Sequence, residues 1–340
     1  MKSCLVLFKN PKELIDFKTV NSVLDTLNGA NFSVDDIFTF SNTENNLICE
    51  EINKIRQSYD TVYVLNCNQE SKLDGDFDQK AVYYLDGNYK EKLIREVIPS
   101  LNQRYSVKYG KVVFKVFGLT EQEIAEKLNK IKDGLRVRFN VVGQNLDYKI
   151  EIIYDDKSTK MDYDFAQKEL ILNFKDNIYA EKDVTLEQLL VELLKLRKCV
   201  LGVAESFTGG NISAKITSVS GSSSVFYEGI VSYNERAKIN RLGVNEESIE
   251  KYKPVSGQVA GEMAYGLIKD KNVDIAVSTT GIAGPNSDDS GFPVGRCYIG
   301  VAYGGEVSVY HYEFDGNREE ITEKGTKTAM FLAVKKIKNI

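Results

Sequence analysis

Histidine is almost missing from this sequence: His311 is the only one among 340 residues. A Ser-His-Asp or Cys-His hydrolase would therefore have to use His311 as its base. The residue lies in the alternating run 307–314, which is typical of a strand, and we expect it to be a structural or surface side chain. Any hydrolase in this chain is predicted to use a base other than histidine.

Paired cysteines, a basic surplus and long apolar runs are missing as well. The five cysteines form no CxxC pair, so we expect no metal and no cofactor. The net charge of -5 argues against a nucleic-acid partner, which needs a basic face. No run approaches the roughly 20 apolar residues of a membrane span, and the N-terminal apolar run is too short for a signal peptide. We therefore expect a cytoplasmic protein without a membrane partner.

Three stretches of strand and helix signals make up the chain. Residues 1–105 alternate between the two and predict an α/β layer domain, and residues 106–178 predict a small α+β module. In that module we expect a helix at 162–169 and a strand at 170–174. Residues 180–340 contain repeated strand–helix units, then a hairpin and a closing helix. This order predicts a three-layer α/β/α domain in which helices cover both faces of a mixed sheet.

Two helix starts carry a clear capping signal. Thr120 is followed by Glu-Gln-Glu, and Thr185 by Leu-Glu-Gln. In a capping box the threonine hydroxyl bonds the N–H three residues on, and the Glu or Gln at that position bonds back. We therefore expect helices that begin directly after Thr120 and Thr185.

The densest polar signal is Ala204-Glu-Ser-Phe-Thr-Gly-Gly210, where the buried strand 200–204 turns into a helix. In open α/β sheets ligands bind at the carboxyl ends of strands, and glycines let the backbone approach a ligand closely. The N–H groups at the helix start suit a phosphate or an oxyanion. The same residues are equally typical of an ordinary helix N-cap, so both interpretations stay open here.

A serine nucleophile at Ser206 would need a proton acceptor other than histidine. A lysine whose pKa is lowered by burial can serve, and Lys238 is a candidate in Val231-Ser-Tyr-Asn-Glu-Arg-Ala-Lys238. The turn from strand 226–233 into the next helix can aim this lysine at the carboxyl edge of the sheet. Tyr233 could orient it or relay a proton. A lysine on a helix is more commonly a solvated surface group, and the spacing alone does not decide.

Two further clusters follow strand ends in the same domain. Ser278-Thr-Thr-Gly-Ile-Ala-Gly-Pro285 follows the apolar run 273–277 and offers hydroxyl and N–H groups in a stiff loop. Phe314-Asp-Gly-Asn-Arg318 opens the last helix, where the arginine could contact a phosphate with two N–H groups. An ordinary turn and a surface arginine are the alternatives. Because all the clusters fall at strand–helix junctions of one domain, they predict a single site.

These segments, in their order and spacing, resemble the C-terminal domain of the CinA family of competence- or damage-inducible proteins. The resemblance covers residues 180–340. The matching motifs are Glu205-Ser-Phe-Thr-Gly-Gly210, Val231-Ser-Tyr-Asn-Glu-Arg-Ala-Lys238, Val255-Ser256, Thr279-Thr-Gly-Ile-Ala-Gly-Pro285, Pro293-Val-Gly295 and Asp315-Gly-Asn-Arg318.

The resemblance implies deamidation of nicotinamide mononucleotide to nicotinate mononucleotide and ammonia, in pyridine-nucleotide recycling. It implies Ser206 as the nucleophile, Lys238 as its base and Tyr233 as a supporting catalytic residue. Arg318 and the N–H groups of Gly209 and Gly210 are expected at the 5′-phosphate or a bound anion, and Thr280 near the reacting amide. A homodimer is also expected. The substrate-binding positions that it implies are Thr208, Gly209, Gly210, Thr280, Gly281 and Arg318.

The remaining residues resemble the family less closely. Full-length members carry an N-terminal domain similar to molybdopterin-binding proteins, with Gly- and Asp-rich motifs linked to ADP-ribose pyrophosphatase activity. Here the corresponding strand reads Thr61-Val-Tyr-Val-Leu-Asn-Cys-Asn-Gln-Glu70, without the glycine-rich turn or the paired aspartates. We therefore interpret residues 1–105 as a degenerate copy. Residues 106–178 resemble the KH-like connector of the family but lack a GxxG loop, which argues against RNA binding.

Two other functions stay open at the level of sequence. A non-catalytic nucleotide-binding protein in competence or DNA-damage physiology would fit the degenerate N-terminal domain, and nucleotide binding without turnover would indicate it. An ADP-ribose pyrophosphatase would be indicated by metal-dependent release of AMP, but the acidic motifs for the metal are missing.

Overall fold

The computed structural model describes residues 2–9, 16–30, 32–41, 45–66, 82–105, 110–155, 157–269, 272–287 and 291–339. The chain divides into two compact units, residues 1–109 and 110–340. Of the helices in these ranges, none combines the length and the apolar character that spanning a membrane requires.

The first unit is a four-stranded parallel sheet with the order β2-β1-β3-β4. Strand β1 is buried on both faces, since its alternate residues enter two separate apolar clusters. The predicted α/β architecture is confirmed for this unit. The turn 67–70, on which the degenerate-motif interpretation depends, lies outside the described residues. The elements are β1 (Ser3–Phe8), α1 (Phe17–Gly29), β2 (Asp36–Phe40), α2 (Asn45–Ile55), β3 (Thr61–Asn66), β4 (Val82–Leu85), α3 (Tyr89–Lys92), a π-helical turn (Leu93–Val97) and α4 (Ile98–Tyr105).

The second unit begins with an antiparallel sheet of the order β6-β7-β5-β8. Two helices cover it through one apolar cluster, so the predicted α+β character is confirmed. Thr120 forms the expected capping box at the start of α5. The elements are β5 (Gly110–Phe117), α5 (Glu121–Ile131), β6 (Arg138–Gln144), β7 (Asp147–Tyr154), α6 (Lys160–Phe174), a 3-10 turn (Lys175–Asn177) and β8 (Ile178–Ala180).

The strand predicted at 170–174 is wrong, because these residues form the last turns of α6. Ala166, Leu170 and Phe174 are buried at a spacing of four, which is one face of a helix. Ile171 and Leu172 are exposed between them. A short apolar run is compatible with both structures, and here the stripe that continues from Ala166 decides for the helix.

The rest of the second unit is a five-stranded mixed sheet with the order β10-β9-β11-β12-β13. Strands β10, β9 and β11 are parallel, whereas β12 and β13 are antiparallel to their neighbours. The elements are α7 (Leu186–Arg197), β9 (Leu201–Glu205), α8 (Asn211–Thr217), a 3-10 turn (Ser222–Ser224), β10 (Phe226–Val231), α9 (Glu235–Leu242), α10 (Glu246–Tyr252), α11 (Gly257–Ile268), β11 (Ile275–Gly281), β12 (Arg296–Tyr303), β13 (Glu306–Glu313) and α12 (Arg318–Lys338).

Helices cover both faces of this sheet, so the predicted three-layer arrangement is confirmed. Val203 and Val277 face α7, α8 and α12, whereas Ala204 and Ala276 face α9, α10 and α11. Thr185 caps α7 with the expected capping box. The small side chains on the second face let α11 lie close to the strands, where Gly300 is packed against the backbone of Ala260.

Candidate active site

The carboxyl ends of three parallel strands meet at one edge of the mixed sheet, and Ser206 lies there. The Ser206 N–H donates to the carbonyl of Thr279 at 3.0 Å, and the Ser232 N–H donates to the carbonyl of Glu205 at 2.8 Å. The strand pairing thus continues one residue beyond β9 and β10 and sets Ser206 between Ser232 and Thr280. Because side chains alternate along a strand, all three belong to the face that α9 and α11 cover.

Lys238 reaches Ser206 from α9. Its Nζ lies 2.9 Å from Oγ of Ser206 and 2.8 Å from the carbonyl oxygen of Ser232. Lys238 is only 2% exposed and Ser206 only 7%. Lys238 and Leu242 are the buried residues of α9, one turn apart, so the lysine occupies a core position of the helix. It is therefore not a solvated surface group.

Burial of the Lys238 amine lowers its pKa to about 8, although the nearby Glu235 carboxylate acts in the opposite direction. Desolvation has this effect because the charged ammonium loses the water that stabilises it. A lysine with this pKa is partly neutral at physiological pH and can accept a proton. The pair of Ser206 and Lys238 therefore has the geometry and the proton affinity of a nucleophile and its base.

Glu205 holds the turn that carries the serine, and the sequence reasoning missed this role. Its carboxylate is fully buried and accepts the N–H groups of Gly210, Ile212 and Ser213 at 2.9–3.0 Å. It also accepts the Ser213 hydroxyl at 2.6 Å. A carboxylate at a helix N-terminus accepts from N–H groups that otherwise have no partner, and the positive end of the helix dipole stabilises its negative charge. In the sequence, the signal for this role was the position of Glu205 directly before Ser206.

The N–H groups of Gly209 and Gly210, which were expected to bind an anion, already donate to acceptors inside the protein. The N–H of Gly209 donates to the Ser206 carbonyl at 3.1 Å, and that of Gly210 donates to Glu205. Both residues have positive φ, +62° and +100°, which glycine adopts without strain. The paired glycines therefore serve the tight turn from β9 into α8, and the N–H groups expected at a phosphate are used inside the protein.

Replacing Glu205 by glutamine is expected to lower the free energy of unfolding by about 2–4 kcal/mol, because the amide NH₂ would face buried N–H donors. Urea denaturation of the variant measures the loss. The control is Glu250→Gln, which changes an exposed glutamate of α10 and should alter stability by less than about 0.5 kcal/mol. A Glu205→Gln protein as stable as the control would show that the carboxylate does not hold the turn.

The threonines near the serine are buried, and each has a partner. The hydroxyls of Thr208 and Thr279 lie 2.8 Å apart, and the Thr280 hydroxyl donates to the Pro254 carbonyl at 2.8 Å. Thr280 flanks Ser206 on the same sheet face. Gly281 ends β11, and a Cβ there would lie 2.5 Å from the Cβ of Cys297, so only glycine allows this approach of β12.

Tyr233 and Arg318 are hydrogen-bonded to each other and lie outside the pair formed by Ser206 and Lys238. Nη2 of Arg318 donates to the Tyr233 hydroxyl at 2.9 Å, and Nη1 donates to the carbonyl of Gly284. Tyr233 is 61% exposed, and Arg318 is the exposed first residue of α12. Within the described part of the chain, no hydrogen bond joins Tyr233 to Ser206 or Lys238. The arginine instead links the tyrosine to the loop that follows β11.

The lone histidine lies at the same edge of the sheet but three strands away from Ser206. His311 is on β13, the outer strand of the sheet, where its ring stacks on Tyr298 at 4.8 Å. A cavity of about 800 Å³ borders Arg318, Asn211 and Asn317, but its described lining includes neither Ser206 nor Lys238. The described residues also contain no group of three His, Cys, Asp or Glu side chains placed to hold a metal ion.

Comparison with known proteins identifies relatives of this chain. The family model of the CinA C-terminal domain matches residues 183–337. A putative competence-damage inducible protein of Clostridium perfringens is 31% identical over 299 residues, which cover 84% of this chain and 71% of the relative. Another, from Caldicellulosiruptor saccharolyticus, is 35% identical over 247 residues, which cover 72% of this chain and 60% of the relative.

The chain spans 60–63% of the length of several curated relatives that it matches. Among solved structures, a CinA superfamily protein of Klebsiella pneumoniae is 27% identical, with a TM-score of 0.45. That match covers 46% of this chain and 97% of the other.

Proposed function

The chain belongs to the CinA family, and from that premise we propose that its C-terminal domain is an amidase that converts nicotinamide mononucleotide to nicotinate mononucleotide and ammonia. The observation that carries the proposal is the 2.9 Å contact between the buried Lys238 amine and the Ser206 hydroxyl. The identity of the proposed substrate comes from the motifs that resemble the family.

In the proposed reaction, Oγ of Ser206 attacks the carboxamide carbon while the neutral Lys238 takes the hydroxyl proton. A proton then returns to the nitrogen, the C–N bond breaks, and ammonia leaves an acyl ester on Ser206. Water attacks the ester with Lys238 again as the base, and the acid is released. For the oxyanion, the turn carries the N–H groups of Phe207 and Thr208, for which the described residues supply no acceptor.

The direct test is to incubate the purified protein with nicotinamide mononucleotide and to measure both products. Release of ammonia and nicotinate mononucleotide in equal amounts would support the amidase. Tight binding of the nucleotide without either product would instead favour the non-catalytic binding protein.

The pH dependence of kcat/KM follows from the lowered pKa of Lys238. Lys238 acts in its neutral form, so with a pKa of about 8 we expect kcat/KM to rise about tenfold per pH unit below pH 8 and to level off above it. Initial rates between pH 6 and pH 9.5 measure the profile. A profile that is flat over this range, or that falls as the pH rises, would argue against a lysine base.

Arg318 is proposed to contact the 5′-phosphate of the substrate. Replacing it by glutamine should raise the KM for nicotinamide mononucleotide about 10- to 100-fold, since a charge-assisted hydrogen bond is lost. The KM for nicotinamide riboside, which has no phosphate, should change less than about threefold, because the lost bond concerns only the phosphate. Arg197→Gln, at the exposed end of α7, is the matched control. Equal losses on the two substrates would exclude a phosphate contact.

A further inference from the structure

Ser232 places a second hydroxyl beside Ser206 that the mechanism above does not use. The residue is fully buried, and its Oγ has no hydrogen-bond partner among the described residues. Its main chain is nevertheless held on both sides: the N–H donates to the Glu205 carbonyl at 2.8 Å, and the carbonyl accepts Nζ of Lys238 at 2.8 Å. The backbone of Ser232 is therefore fixed by two hydrogen bonds, whereas its hydroxyl has no partner among the described residues.

A buried hydroxyl without a partner destabilises a protein by about 1–3 kcal/mol, whereas alanine would fill almost the same space without that loss. The neighbouring buried hydroxyls all have partners. Ser278 donates to the Ala260 carbonyl at 2.5 Å, Thr280 donates to Pro254, and Thr208 pairs with Thr279. Among these hydroxyls Ser232 alone is left unpaired, and it lies at the site of the chemistry.

The register of the sheet places this hydroxyl next to the reacting group. Ser232 and Thr280 flank Ser206 on adjacent strands, which lie about 4.8 Å apart. The Thr280 hydroxyl already donates its proton to the Pro254 carbonyl, so of the two flanking hydroxyls only that of Ser232 still has a proton to donate to a ligand. A carboxamide whose carbon meets Oγ of Ser206 carries its oxygen and nitrogen within reach of the flanking positions.

We propose that Oγ of Ser232 contacts the nitrogen of the scissile carboxamide and delivers the proton with which ammonia leaves. In the bound substrate it accepts one N–H. When the tetrahedral intermediate collapses, its O–H proton passes to the nitrogen as the C–N bond breaks, and the Lys238 ammonium returns a proton to the Ser232 oxygen. Lys238 ends neutral and Ser232 unchanged. Rotation about the Cα–Cβ bond turns the hydroxyl between the two partners. This inference rests on the proposed amidase function.

The test compares an amide with an ester of the same acid in a Ser232→Ala variant. The substrates are nicotinamide mononucleotide and the ethyl ester of nicotinate mononucleotide, which form the same acyl enzyme. An alkoxide can leave the tetrahedral intermediate of an ester with little help from a proton donor, whereas the nitrogen of an amide must be protonated before it leaves. We expect kcat for the amide to fall about 100-fold, the lower end of general acid–base effects, and kcat for the ester less than about threefold. Equal losses on both substrates, or no loss on either, would overturn the role of Ser232.

Ser278→Ala is the matched control, because it removes a buried hydroxyl from the same sheet face that does have a partner. It should lower Tm and leave the amide-to-ester ratio unchanged, whereas Ser232→Ala should have a Tm no lower than that of the wild type. A drop of more than about 3 °C in Ser232→Ala would show a structural partner and overturn the inference. If the wild type releases no ammonia from the nucleotide, the amidase proposal fails as well; if it does, a failure concerns Ser232 alone.

Discussion

Replacement of Ser206 by alanine is expected to lower kcat/KM for nicotinamide mononucleotide by about 10⁴-fold or more. The methyl group cannot form the acyl ester, and the lysine then has no hydroxyl to deprotonate. Removing a nucleophile that works together with a base has effects of this size in other serine hydrolases. Ammonia release measures the loss, and mass spectrometry of the quenched wild-type enzyme should detect the acyl adduct on the peptide that contains Ser206.

Ser222→Ala is the control for this variant. Ser222 is as buried as Ser206, at 6% against 7% exposed, but it lies in the turn before β10, at the amino end of the parallel strands. Its loss should leave kcat/KM within about twofold, as is usual away from a site. If Ser206→Ala kept a tenth or more of the wild-type activity, another group would have to be the nucleophile.

Lys238→Gln is expected to lower kcat/KM by about 10³-fold and to abolish its rise with pH. Glutamine keeps a polar group near Ser206 but cannot take up the proton, so both steps lose their base. Lys238→Arg should be just as inactive, because a guanidinium stays protonated throughout the accessible pH range. The arginine variant therefore separates a lysine that acts as a base from one that supplies only positive charge.

The matched control is Lys251→Gln, which changes an exposed lysine on α10. It should retain both the wild-type rate and the wild-type pH profile. Substantial activity in Lys238→Arg would indicate that positive charge alone is sufficient. A rise with pH that persists in Lys238→Gln would assign the titration to another group.

Much of the fold could be predicted from local signals. The capping boxes at Thr120 and Thr185 located two helix starts, and the alternation of strands and helices after residue 180 predicted the three-layer sheet domain. The strand expected at 170–174 was wrong because a short apolar run carries little periodicity of its own. It became helix because Leu170 and Phe174 continue a buried stripe that starts at Ala166.

The candidate site could be predicted in part. The shortage of histidine and the resemblance to the family both pointed to Ser206 with Lys238, and the structure places their side chains 2.9 Å apart. The phosphate-binding N–H groups expected at Gly209 and Gly210 could not be judged from sequence. The Gly210 N–H donates to the carboxylate of Glu205, which turns inward at the start of α8, and the Gly209 N–H donates to the Ser206 carbonyl.

By itself, then, the sequence determined which residue types were present: a serine at a strand–helix turn, a lysine one helical turn into α9, and no histidine suited to be their partner. Only the tertiary structure decided which of these groups are buried and which are already bonded. Burial is what lowers the pKa of Lys238, and it arises because α9 packs against the sheet. The sequence likewise could not show that the Ser232 hydroxyl lacks a hydrogen-bond partner. Residues far apart in sequence become neighbours only when the strands pair, so the folded chain alone decides which hydroxyls find a partner.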